Sequence, residues 1–146
     1  MASVFDHRTA GKFSPDGRWL AYSFTETGRY EVFVEPYPGP GGKWQVSKEG
    51  GQEVVWARNG RELFYRLGDK MMAVPVETEP TFSAGSPQLL FSGYATGVPG
   101  LPAYDVAADN RFAMLQENTE GQKFTQINVV LNWIEEVKRK VASVNR

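Results

Sequence analysis

Hydrophobic and polar positions alternate along three separate stretches of the chain, and each alternation breaks at a turn-forming Asx dipeptide. In residues 13–36, FSPDGRWLAYSFTETGRYEVFVEP, an apolar approach gives way to Asp16-Gly17 and then to the run Trp19, Leu20, Ala21, Tyr22. This is how two antiparallel strands joined by a tight turn read. The grammar returns in WARNGRELFY, residues 56–65, at an offset of 43 residues. It returns in decayed form in YDVAADNRFAML, residues 104–115, a further 50 residues on at the turn aspartate, with Asn110 in place of the glycine. Asp-Gly and Asn-Gly supply the positive φ that two-residue hairpin turns demand, and asparagine also reaches that region. A period of 43 to 50 residues with hairpin turns is that of four-stranded propeller blades, not of helical repeats of similar length.

The expected fold is therefore all-β, a β-propeller of four-stranded antiparallel blades in a single domain over residues 1–146. Three units are expected, at about residues 11–47, 53–91 and 104–131. Strands are predicted at 11–15, 18–24, 30–35 and 43–47 in the first unit, and at 53–57, 62–66, 70–76 and 87–91 in the second. The third supplies 104–107, 111–116 and 125–131 and lacks its outermost strand. Tyr30, Val32 and Val34 should face one way and Glu31 and Glu35 the other. Pro75 cannot donate to a ladder, so it should mark a bulge or a strand end.

A C-terminal α-helix is expected at about 132–144, where Ile134, Val137, Val141 and Val144 line one side. Asn132 suits the N-cap, with Glu135 at N3 completing a capping box. Glu135 and Glu136 in the first turn, with Lys138, Arg139 and Lys140 further along, complement the helix dipole.

At 41% hydrophobic and 13% aromatic residues the chain can bury a core. Sixteen basic against seventeen acidic residues leave a net charge of -1, which draws it toward neither nucleic acid nor an anionic membrane. No cysteine is present, so disulfides, thiolate metal sites and cysteine nucleophiles are out of reach. No window approaches the roughly 20 apolar residues that span a bilayer, and residues 1–12 contain no apolar leader core. If Met1 is the native start, the expected location is the cytoplasm.

Candidate chemistry is sparse. His7 is the only histidine, no G-x-S-x-G motif accompanies it, and neither a multi-histidine metal site nor a D-x-D-x-D-G calcium loop is present. No catalytic, metal or cofactor residue is expected. Pro38-Gly39-Pro40-Gly41-Gly42-Lys43 ends in lysine, yet Trp44 follows where a phosphate loop needs Ser or Thr and a helix, so it reads as a connection between strands. Asp16, Asn59 and Asp109 sit at turns, where Asx side chains bond local backbone amides. Trp19, Tyr22, Phe33, Trp44, Trp56, Phe64 and Tyr65 read as packing between sheets rather than as sugar or base platforms. The longest unexplained stretch is SGYATGVPGLPA, residues 92–103. It joins two units on a face where long loops carry binding, and Tyr94 and Leu101 are its candidate ligand or partner contacts.

The segments FSPDGRWLAY, WARNGRELFYR and LGDKMMAVPVE resemble the TolB-like, WD-repeat-like β-propeller repeats of bacteria, over about residues 5–140. The whole chain is similar to the C-terminal propeller portions that follow a serine/threonine kinase or transcription-regulator module in many bacterial proteins. The resemblance implies a non-catalytic interaction, scaffold or sensing module. Alternatives are the propeller accessory of a prolyl-oligopeptidase-type hydrolase and a small-ligand or carbohydrate binder at the channel mouth. Three units are half of the six or more that the family closes. A homodimer completing a six-bladed ring is therefore expected, with residues 2–6 of each copy supplying the missing strand of the other's third unit; the alternatives are a piece of a longer single-chain propeller and a higher or open assembly.

Overall fold

Each alternating stretch folds into an antiparallel hairpin whose turn is closed in the same way. The structure is a computed structural model in which residues 11–25, 28–93 and 103–115 are described. The carbonyl of Ser14 accepts the Gly17 N–H at 2.8 Å, that of Ala57 the Gly60 N–H at 2.9 Å, and that of Ala107 the Asn110 N–H at 3.0 Å. The closing residue sits at positive φ each time, 72° at Gly17, 70° at Gly60 and 61° at Asn110, where glycine and asparagine are tolerated. Asp16, Asn59 and Asp109 each accept the backbone N–H two residues on, from Arg18, Arg61 and Arg111, so the expected Asx bonding is present in all three turns. The loops are longer than two residues. Ser14 bonds back to Trp19 and Ala57 to Glu62, enclosing four residues, whereas Ala107 bonds to Arg111 and encloses three.

The first unit is an antiparallel meander of β1 (Lys12–Phe13), β2 (Trp19–Thr25), β3 (Tyr30–Pro36) and β4 (Trp44–Gln45), in that spatial order. We call it sheet 1. In sheet 2, β5 (Gln52–Trp56), β6 (Glu62–Leu67) and β7 (Lys70–Glu77) are sequential neighbours. The outer edge of β7 is then shared by two strands, β8 (Ser83–Ala84) at Val76 and Glu77 and β9 (Gln88–Ser92) at Lys70 to Ala73. A single fourth strand at 87–91 was the expectation; the edge is split instead. The hairpin β10 (Tyr104–Val106) and β11 (Phe112–Met114) follows.

Pro75 explains the split. It pairs with Glu62 in unbroken register inside β7, so it marks neither a bulge in that ladder nor a strand end. Val76 N–H bonds to the Arg61 carbonyl, which makes the adjacent Glu62–Pro75 pair a non-hydrogen-bonded one and turns the proline nitrogen toward the outer edge. The missing donor falls in the gap between β8 and β9, where no ladder bond is lost.

Sheets 1 and 2 stack face to face over a core that includes Trp19, Ala21, Val32 and Val34 from one and Leu63, Tyr65, Val74 and Val76 from the other. Close approach at the connection requires Gly51, where a Cβ would stand 2.8 Å from both the Tyr65 ring and Val32. The opposite face of sheet 2 buries Phe64, Met71 and Ala73 against Tyr104, Val106, Phe112 and Met114. Sheet 2 is thus covered on both sides, each buried large side chain contributing about 1.5–3 kcal/mol. Glu31, expected on a polar face, is instead buried: its carboxylate accepts the Ser47 hydroxyl and the Gly50 N–H and pairs with Arg29 at 2.6 Å.

The predicted helix at 132–144, the strand at 125–131 and residues 2–6 lie outside the described residues.

Candidate functional site

The first two turns and the end of β7 enclose a groove of about 820 Å³, lined by Asp16, Asn59, Arg61, Glu77 and Glu79 among others. The turn chemistry positions its polar groups. Ser14 donates its hydroxyl to Asp16 Oδ1 at 2.5 Å and accepts the Trp19 N–H at 2.9 Å. The Ser14 hydrogen bond, helped by the backbone and charge of Arg18, holds the Asp16 carboxyl below the usual carboxylate range. Arg18 also reaches across to Glu79 at 2.5 Å, tying the first turn to the segment between β7 and β8. Both partners are exposed, so the pair orients the groove wall more than it stabilises the fold.

This geometry is suited to binding by hydrogen bonds and charge. Ser14 is committed as both donor and acceptor, and among the described residues there is no imidazole to serve as its base. Among the same residues no three His, Asp or Glu side chains converge as a metal site would require.

A second polar cluster lies at the seam between sheet 2 and the third hairpin. Glu53 holds a positive φ of 55° at an irregularity in the β5–β6 register. Its carboxylate pairs with Arg66 at 3.3 Å and accepts the Ala103 N–H at 3.1 Å. Its carbonyl accepts the Tyr104 hydroxyl at 2.6 Å, with the Phe64 carbonyl 3.0 Å from the same hydroxyl. Burial, reinforced by the Glu53 charge, holds the Tyr104 phenol well above its ordinary range. Glu53 therefore anchors the end of the 92–103 connection onto sheet 2.

Tyr94, Leu101 and His7 lie outside the described residues; what the structure places beside the 92–103 connection is its anchor at Ala103. Sequence reading missed the groove because it assigned the Asx turns to folding alone. It missed Glu53 because a left-handed glutamate has no local signature. The charged residues flanking the turns, Arg18, Arg61 and Arg111, were the available signal for a polar rim.

No protein-family model matches the chain, and no curated protein matches its sequence significantly.

Proposed function

We propose that the chain is a non-catalytic β-propeller interaction or sensing module whose polar rim, built on the hairpin turns, receives a protein or small-molecule partner. The observation that carries this reading is the repeated stack: sheet 2 buries one face on sheet 1 and the other on the third hairpin. Inner strands follow one another as blades around an axis would, with Trp56 Nε1 donating to the Lys12 carbonyl at 3.0 Å and Tyr104 to Glu53 at 2.6 Å. The groove supports binding because it gathers unlike charges on rigid turns. Ser14 supports the non-catalytic part, since its hydroxyl already serves the turn.

Three such units make half of a six-bladed ring, and closure by a second copy is part of the proposal. The second copy is expected to join by strand addition at the third unit, its residues 2–6 supplying the outer strand there. Light scattering at micromolar concentration should report about twice the 16.3 kDa chain mass. A monomer of that mass would remove the ring closed by two copies and leave the module acting singly.

A further inference from the structure

Between the exit of sheet 1 and the lower half of sheet 2 lies a second cavity, of about 210 Å³, walled by Leu67, Met72 and Pro87 and bordered by Lys48, Glu49 and Tyr65. Tyr65 is only 1% exposed, and its hydroxyl makes no hydrogen bond to any described residue. The hydroxyl oxygen is not one of the fully enclosed polar atoms, so it stands open to the contents of the cavity that it borders. The repeat sharpens the point. Tyr22, aligned with Tyr65, donates to Glu35 at 3.0 Å. Strand pairing puts Glu35 opposite Leu20 and Val74 opposite Leu63, so the second unit has exchanged the accepting carboxylate for a methyl-bearing side chain.

The field in the cavity has a sign. Glu49 is exposed and makes no ion pair with any described residue. The charges that act on the Tyr65 hydroxyl are those of Glu31 and Glu49; together with burial, the largest cause, they push its pKa up to about 12. Glu31 is already paired with Arg29, which leaves Glu49 as the carboxylate available to a guest. Lys48 borders the cavity from an exposed position. An unpartnered hydroxyl oxygen, an unpaired carboxylate and apolar walls are complementary to a cation on a short hydrocarbon stem.

We propose that this cavity binds a primary alkylammonium group, its stem against Leu67, Met72 and Pro87 and its head between Tyr65 Oη and Glu49. A free amine and the side chain of a lysine share this chemistry. The test is calorimetric titration of the full chain with n-butylammonium and with Nα-acetyl-lysine amide, and with butyrate as the anion of similar shape. Saturable, mutually competitive binding of the two amines is expected, with no binding of butyrate. Tighter binding of n-butylammonium assigns a free amine as the natural guest, and tighter binding of the blocked lysine assigns a lysine side chain. Tyr65→Phe should weaken binding about tenfold without lowering the melting temperature, and Glu49→Gln should weaken it and flatten its salt dependence. The proposal is overturned if neither amine saturates, if butyrate binds equally, if Tyr65→Phe binds like the parent chain, or if Tyr65→Phe melts at a lower temperature.

Discussion

Two buried tryptophans show how far a single polar atom decides the worth of a side chain. Trp56 donates its indole N–H to the Lys12 carbonyl at 3.0 Å, whereas the Trp19 indole nitrogen is buried with no partner among the described residues. Trp19 is held instead by ring packing, 5.6 Å from Trp44 and 5.3 Å from Phe82. Replacing each by phenylalanine removes a similar volume, but only Trp56→Phe breaks a hydrogen bond that ties sheet 1 to sheet 2. Trp56→Phe should therefore cost roughly 1 kcal/mol more than Trp19→Phe in urea unfolding; equal losses would count against the bond. Tyr65 carries a pH signature of its own. Its folded pKa of about 12 lies above the ordinary 10, so the unfolded chain releases this proton first as pH rises. The stabilising difference is present below pH 10 and is lost between about 10 and 12. Stability should fall over that window, and Tyr65→Phe should fall less steeply, as urea unfolding at stepped pH will show. None of these distinctions is readable from the sequence, because Trp19 and Trp56 occupy comparable apolar patterns and differ only in what lies across the sheet interface.

The strands themselves were largely legible, since alternation and Asx turns are local signals. The predicted strand at 18–24 is β2, that at 30–35 is β3, and that at 62–66 is β6, each within a residue or two of its observed bounds. The third hairpin shows where local reading fails. Aligned on the turn aspartate, Phe112 matches Glu62. The pairing shows otherwise: Phe112 opposes Val106 as Leu63 opposes Trp56. A loop one residue shorter returns Phe112 and Met114 to the face that Leu63 and Tyr65 occupy, and turns Leu115 out to 56% exposure. A spacing change compensated by a shorter loop is invisible to pattern matching because each partial pattern stays intact. Inserting a glycine after Asn110 should restore the four-residue loop of the first two turns and, because the loop absorbs the added residue, keep Phe112 opposite Val106. Stability in urea unfolding should change by no more than about 1 kcal/mol. A loss of several kcal/mol, near that of two buried large side chains, would show that β11 slips in register when this turn is lengthened. The split outer edge of β7 was hidden for a related reason: a proline nitrogen facing outward looks the same in sequence as one that breaks a ladder.

At the scale of the whole molecule, stability is distributed by how many neighbours each layer has. Sheet 2 has packed layers on both faces, and Phe64 is where the second contact is made. Its ring lies 5.0 Å from Phe112 in an edge-to-face arrangement, and its carbonyl faces the Tyr104 hydroxyl at 3.0 Å. Sheet 1 reaches sheet 2 through other residues, Trp19, Ala21, Val32 and Val34. Phe64→Ala removes only the contact toward the third hairpin, leaving a cavity at a cost of about 3–5 kcal/mol. Where layers stack in series, such a loss should appear as local opening before global unfolding. Hydrogen exchange on the variant should therefore show the amides of β10 and β11, and the Ala107 N–H that closes their turn, exposed early. Those of β2 and β3 should keep most of their protection. If β2 and β3 lose protection in step with β10 and β11, the layers unfold as one unit, and the stacked sheets do not act as separable repeats.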